Sequence, residues 1–508
     1  MAQTDILIVG AGPTGLVLAL WLTRQGLAVR IVDKSSGPGE TSRAMAVQAR
    51  TLELYRQLDM ADAVIEAGYK TPAMNMWARG KRKARIPLLD AGGDVSPYPF
   101  VLIYPQDRHE RLLVEQLQSL GVEVERQTEL LSFEDRGDHV AARLKHADGR
   151  EDTLTTAYLA GCDGARSLVR HQVGSGFEGG TYKQLFYVAD VSASGFEPAD
   201  EAHIAFDKSE FVLAFFYGET GQYRLIGTVR DERAEHPETL TFEDVGHDAI
   251  NGLNIRINGV NWFSTYRVHH RVTDQFRWGR VFLLGDAAHV HSPAGGQGMN
   301  TGILDAINLA WKLAAVVKGQ APDALLDSYQ AERQAFAQKL VETTDRLFTF
   351  ATAQGNFADF VRTRIAPLFA SVAYKSENVR EYLFRIVSQT TLNYHQSPLS
   401  AGKAGDVLGG DRLPWVPVPG ADNYEPLASI GWQVHVYGEA GAELKAWSSQ
   451  HQIPLHTFTW RDEHHKAGLC RDAAYLLRPD TYVALADPQA SAATLSRYFS
   501  DRGLTLPA

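Results

Sequence analysis

The sequence predicts an α/β fold, and three observations predict it. A strand, glycine turn, helix and second strand open the chain, a strand-rich stretch fills its middle, and a glycine-crowded segment near residue 290 joins a strand to a helix. Residues 5–9 (DILIV) are a short, continuous apolar run, as a parallel strand buried on both faces should be. GAGPTG follows with Gly10, Gly12 and Gly15, then an apolar helical stretch to Gln25, a stop at Gly26, and AVRIVD ending at Asp33. This is a Rossmann-like βαβ unit. Gly10 permits the tight turn, Gly12 lets a pyrophosphate approach the helix N-terminus, and Gly15 allows close packing of helix on strand. Asp33, with Lys34 beside it, is placed to accept hydrogen bonds from an adenosine ribose. An ADP-containing dinucleotide is implied, and the unit leaves NAD and FAD equally open.

Composition narrows the class. The 508 residues, 44% hydrophobic and 22% charged, suit a globular chain of two to four domains. A net charge of −10 argues against a nucleic-acid partner, and the basic run ARGKRKAR (78–85) reads as a solvated hairpin face. The apolar stretch 6–22 has the character of a signal segment or short membrane span. No basic segment precedes it and glycines interrupt it, so it is expected to be structure rather than an address or an anchor. Cys162 and Cys470 offer neither a disulfide framework nor a zinc site, which fits a cytoplasmic protein.

Residues 285–300 (GDAAHVHSPAGGQGMN) admit three readings: a metal at His289 and His291, a nucleophile at Ser292, or a backbone that something large must approach. A third metal ligand is not evident, and Ser292 lacks a GxSxG elbow. The histidines are therefore expected to hold the turn by hydrogen bonds. Three more stretches bear on the ligand. ETSRAMAVQARTLELY (40–55) places Arg43 beyond the second strand and a helix from Ala49 onward. IYPQDRHERLLVEQL (103–117) sets Gln106 and Arg108 before a helix, and YLAGCDGARSLVR (158–170) ends a strand at Asp163.

These motifs, in this order, resemble the para-hydroxybenzoate hydroxylase family of single-component FAD-dependent aromatic hydroxylases, which includes the phenol hydroxylases. The resemblance covers residues 5–313 and continues more loosely to the C-terminus. It implies a discontinuous FAD-binding domain (1–72, 100–175 and 275–345) interleaved with an antiparallel-sheet substrate domain (73–99 and 176–274). A helical connector (346–400) and a thioredoxin-like C-terminal domain (401–508) without CxxC would follow. It also implies FAD contacts from Arg43, Gln106, Arg108, Asp163 and Asp286, with residues 293–300 along the flavin ring. Pro293, Gly295 and Gly296 would supply backbone at the oxygen-reacting site, and Gly298, Met299 and Asn300 would bind cofactor. Independent of the resemblance, glycines at 295, 296 and 298 let backbone press against a flat ring. The following helix N-terminus would stabilise a reduced, anionic flavin by about 0.3 to 2 kcal/mol.

The implied chemistry is hydroxylation of a small aromatic substrate by O₂ through a flavin C4a-hydroperoxide. NADPH or NADH would dock transiently as reductant. Runs at 186–192, 203–206, 211–217, 222–229 and 262–272 carry the β-branched and aromatic residues of an antiparallel sheet. Substrate candidates are Met45, Phe211, Phe215, Tyr217, Tyr223, Trp262 and Tyr266, of which alternation lets about half face one side. Met45 stands where the phenol hydroxylases carry an acid, so acid-assisted phenol deprotonation there is not expected. Baeyer–Villiger oxidation and modification of a polycyclic antibiotic scaffold use the same cofactor loop and stay open. An NAD-dependent dehydrogenase would leave residues 286–300 unexplained, and a non-catalytic flavin-containing interaction protein is the remaining rival. Residues 325–396 read as helical, 398–420 as a Gly/Pro-rich linker, and 476–485 (LLRPDTYVAL) as a hairpin around Pro479 to Thr481. The C-terminal domain has a structural or oligomer-contact role by default, leaving a homo-oligomer open.

Overall fold

The computed structural model describes residues 4–39, 44–90, 92–207, 210–229, 239–245, 247–292, 296–352, 376–418 and 421–506. An eight-stranded sheet organises the nucleotide-binding region. Its main path runs Arg277–Trp278, Val281–Leu283, Glu151–Gly161, Thr4–Val9, Val29–Asp33, Val124–Arg126. The four central contacts are parallel, which brings the ends of Thr4–Val9, Val29–Asp33, Glu151–Gly161 and Val281–Leu283 to one edge. Ile6, Leu7 and Ile8 are fully buried because helices cover the sheet, each burial being worth about 1.5 to 3 kcal/mol.

Helix α1 (Pro13–Arg24) starts with Pro13 at its first position, where a missing N–H costs nothing. Helix α2 is Ala49–Tyr55, α3 is Gln106–Ser119 and α4 is Gly298–Val317. Helix α4 is buried without interruption from Asn300 to Ala314. Within that run Asp305, Asn308 and Lys312 share one face and are paired. Asp305 meets Arg333 (2.7 Å), while Asn308 and Lys312 both donate to Glu332 (2.6 and 2.8 Å). Burial of such charges is tolerable only with partners of this quality.

The second eight-stranded sheet runs His289–Val290, Arg256–Thr273, Phe177–Ser194, Gln222–Val229, Glu210–Phe216, Ala202–Asp207, Ala73–Ala78, Lys81–Pro87. Its pairings are antiparallel except that between Ala202–Asp207 and Ala73–Ala78. The basic run falls on the hairpin of the last two strands, with Lys81, Arg82 and Lys83 exposed. Strand His289–Val290 belongs to the glycine-crowded segment, so that segment is hydrogen-bonded to the sheet's edge.

The C-terminal sheet runs Val407–Leu408, Ala401–Ala404, Val483–Asp487, Ala474–Leu477, Gln433–Tyr437, Leu455–Phe458. Gln433–Tyr437 and Leu455–Phe458 are parallel around a crossover helix, and the expected hairpin joins the two strands beside them. Within the expected linker at 398–420, the described residues 398–418 are instead built structure. Ala401–Ala404 is a strand of this sheet, and a Cβ at Gly409 would lie 2.2 Å from the Ala401 nitrogen. Its glycines therefore serve close packing rather than flexibility.

Candidate active site

Where the parallel strands end, a cavity of about 270 Å³ is lined by Gly10, Gly12, Asp33, Lys34, Thr128, Glu129, Cys162, Asp163, Gly164 and Arg166, among others. The fingerprint glycines behave differently from one another. Gly10 has φ +104°, and an added Cβ would sit 2.3 Å from the Cys162 carbonyl oxygen. At Gly15 it would sit 2.0 Å from the Gly10 carbonyl. At Gly12 it would meet nothing within 4 Å, so this glycine leaves the backbone bare toward the cavity. The first N–H groups of α1 have no partners within the helix, which makes this end a ready anion site.

Asp33 is fixed in place by backbone amides. Its Oδ2 accepts from the Ala11 amide at 2.7 Å and its Oδ1 from the Ser35 amide at 2.8 Å. Asp163 accepts from the Val169 amide through Oδ2 (3.1 Å), while its buried Oδ1 has no partner among the described residues. A bare backbone, a helix N-terminus, a fixed carboxylate and an orphaned acceptor together fit an ADP-containing cofactor. Arg166, Thr128 and Glu129 were not anticipated. Arg166 lies inside the quoted GCDGARS motif, whereas Thr128 and Glu129 reach the cavity only because Val124–Arg126 pairs with Val29–Asp33.

The two glycine motifs, remote in sequence, meet at Thr14. A Cβ on Gly285 would lie 2.7 Å from Thr14 Oγ1, and one on Gly302 would lie 2.3 Å from it. The exposed Asp286 therefore stands at the same sheet edge as the fingerprint. His289 donates to Asp305 through Nε2 at 2.7 Å and is structural, as expected. Burial alone would raise the Asp305 carboxyl, but Arg333 and His289 hold it below the usual carboxylate range. His291 bonds the Ser292 carbonyl through Nδ1 at 2.8 Å, and burial pushes its imidazole down to about 4. Its Nε2 and the Ser292 hydroxyl are buried without partners among the described residues.

Other expected contacts are placed differently. The side chain of Asn300 is spent on the protein. Its Oδ1 accepts from the Gln48 amide (2.9 Å) and the Thr51 hydroxyl (2.8 Å), and its Nδ2 donates to the carbonyls of Ala46 (2.9 Å) and Gly296 (3.0 Å). Only its backbone N–H, with those of Gly298 and Met299 in the first turn of α4, can face a cofactor. Arg108 is turned toward the second sheet. It pairs with Glu219, and its guanidinium lies 5.9 Å from the centre of the Tyr217 ring. Gln106 stays at the head of α3, donating to Glu110 at 2.8 Å. Glu110, missed in the sequence, accepts from the Gly39 amide at 3.2 Å, and burial raises its carboxyl. Arg43, Pro293 and Gly295 lie outside the described residues.

The second sheet sorts the substrate candidates by face. Phe186 contacts Phe211 and Tyr266 with ring centres 6.0 and 5.9 Å apart. Phe215 alternates onto the same side as Phe211, and the next such position is Tyr217, over which Arg108 lies. This face therefore fronts the nucleotide-binding domain. Register places Trp262 beside Asp190, whose carboxylate accepts from Arg224 Nε at 2.7 Å. Tyr223 is on the other face. It is buried against Phe196 (4.1 Å between ring centres) and donates to the Ala199 carbonyl at 2.7 Å, so it belongs to the domain's own core. Met45 is buried, and its carbonyl accepts from the Tyr104 amide at 2.6 Å.

A family model described as the FAD binding domain matches residues 3–344. The chain belongs to that family. It is 38% identical to 6-methylpretetramide 4-monooxygenase of Streptomyces rimosus over 80% of this chain and 72% of that protein. It is 32% identical to rifampicin monooxygenase of Rhodococcus hoagii over 98% of both chains. The solved structure of the OxyS anhydrotetracycline hydroxylase from Streptomyces rimosus superposes over the full length of both chains with a TM-score of 0.77 and 27% identity. The chain is thus an FAD-dependent monooxygenase of the aromatic hydroxylase class, which removes the dehydrogenase and the non-catalytic rival.

Proposed function

We propose that this monooxygenase hydroxylates an electron-rich, fused-ring phenolic substrate, with O₂ and a transiently docked NADPH or NADH as co-substrates. The observation that carries the proposal is the aromatic wall of Phe186, Phe211 and Tyr266, continued by Phe215, on the sheet face that fronts the nucleotide-binding domain. Relatives named for a pretetramide, for rifampicin and for anhydrotetracycline support a polycyclic rather than a single-ring substrate. The Asp190–Arg224 pair at the end of that wall supplies a polar anchor for a phenolic or carbonyl edge.

Bound FAD would accept electrons from the nicotinamide and activate O₂ for transfer to the ring. The chain's part is placement. Gly12 and the start of α1 would take the pyrophosphate, Asp33 the adenosine ribose and Asp163 a cofactor hydroxyl or N–H. Residues 293–300, with Asp286 before them, would hold the flavin ring against the aromatic wall. An apolar wall excludes water, which otherwise diverts the oxidising equivalents to hydrogen peroxide. We also place the reaction in the cytoplasm, supported by the two free cysteines; no described helix is long and apolar enough to cross a membrane.

The test is to follow flavin reduction by NADPH and by NADH while screening single-ring phenols against fused-ring polyketides. Acceleration and hydroxylated product are expected with fused-ring compounds. Turnover confined to single-ring phenols would refute the substrate class.

A further inference from the structure

Thr481 holds a backbone conformation that its own side chain disfavours. Its φ is +67°, the left-handed region that a β-branched residue rarely adopts. It lies in the turn closing the C-terminal hairpin, where Arg478 donates its amide to the Tyr482 carbonyl (2.9 Å) and Thr481 donates its own to Arg478 (2.8 Å). Glycine or asparagine would sit there with less strain. What threonine adds is a hydroxyl, and that hydroxyl accepts from Arg50 Nη2 at 2.9 Å.

Arg50 is fully buried on α2. The same Nη2 also donates to the Asp480 carbonyl at 3.0 Å, and Nη1 donates to Glu53 at 3.0 Å. Glu53 is gripped in turn by Arg412 of the C-terminal region at 2.8 Å. Just beyond α2, Gln57 donates to the Pro479 carbonyl at 2.8 Å. The turn at 479–481 thus holds α2 at both its first turn and its far end. The opposite side of α2 holds Asn300, through the Gln48 amide and the Thr51 hydroxyl. Because both acceptor sites and both donor hydrogens of the Asn300 side chain are in use, the start of α4 and Gly296 take their position from α2.

We infer that the C-terminal domain positions Gly296 and the start of α4, with Thr481 and Arg50 as positioning residues and Asn300 as the point where their hold is delivered. This rests on the reading that the flavin ring lies along residues 293–300. Buried hydrogen bonds on two sides of α2, joined through its backbone, couple the turn to Asn300, so loosening the turn loosens Gly296 and the start of α4. The threonine's strain is then retained for the sake of its hydroxyl.

The experiment titrates FAD into flavin-stripped full-length chain and compares wild type with Thr481→Gly, Thr481→Ser and Thr51→Val. Thr481→Gly relieves strain and removes the acceptor, and is expected to weaken FAD binding about tenfold. The melting temperature of the flavin-free chain should stay at or above wild type. Thr481→Ser keeps the hydroxyl and should restore wild-type affinity, whereas Thr51→Val, which cuts the link at its other end, should match Thr481→Gly. Unchanged FAD affinity in Thr481→Gly, or a loss that merely follows a lowered melting temperature, overturns the inference. Hydrogen exchange at residues 296–301 in wild type checks the ring placement separately. FAD should protect these amides, and absence of protection overturns the placement and the inference with it.

Discussion

The proposed adenosine half and the proposed flavin half of the cofactor site are built by different means. The first is made of local backbone geometry: glycines that cannot carry a Cβ, a helix N-terminus, and the aligned ends of parallel strands. The second is made of side-chain hydrogen bonds that reach across the chain, Asn300 with the Gln48 amide and the Thr51 hydroxyl, and Arg50 with Thr481. A motif can be read when neighbours in sequence create it. A clamp whose parts lie hundreds of residues apart leaves no local signal.

The largest expected effect breaks the backbone-built half. Gly15→Ala places a Cβ 2.0 Å from the Gly10 carbonyl oxygen. We expect a cost of about 3 kcal/mol or more, equivalent to at least about a hundredfold in FAD affinity if the loss falls on binding, as measured by flavin titration. The side-chain-built half should fail more gently. Asn300→Leu removes the side-chain partner that the Gln48 amide, the Thr51 hydroxyl and two carbonyls share. At about 1 to 3 kcal/mol for a buried orphan, the chain should still fold by circular dichroism but release FAD on gel filtration.

The two faces of the substrate sheet sharpen the contrast between packing and chemistry. Tyr223→Ala should lower stability by about 3 kcal/mol in denaturant unfolding and leave the ratio of hydroxylation to NAD(P)H oxidation unchanged. Phe211→Ala should cost about 1 kcal/mol and instead lower that ratio, because water reaches the flavin. The smallest effect concerns pH. His109 is fully buried beside Tyr55, and burial pushes its imidazole down from 6.5 to about 3. The folded state then binds fewer protons than the unfolded state between those values, so the stability from neutral His109 is full above pH 6.5 and declines as pH falls toward 3. His109→Gln should flatten the unfolding midpoint over that window.

Much of the fold was legible. Strands expected at 186–192, 203–206, 211–217 and 222–229 lie within or close to Phe177–Ser194, Ala202–Asp207, Glu210–Phe216 and Gln222–Val229. Helix α2 begins at Ala49 as its pattern implied. Face assignment was less legible, since alternation within a strand does not say which side meets the cofactor domain, and Tyr223 fell on the wrong one. Residues 398–420 misled because glycine and proline mark both flexible linkers and tight packing. Arg108 shows a further limit: its pairing with Glu219, 111 residues away, leaves no local signal at a helix start.

The origin of the transferred oxygen tests FAD-dependent monooxygenation by this chain most directly. Turnover of a fused-ring phenol with NAD(P)H under isotope-labelled O₂, read by mass spectrometry, should place one labelled oxygen atom in each hydroxylated product. Product oxygen drawn from solvent water, with the label absent, would contradict an FAD monooxygenase working at this site.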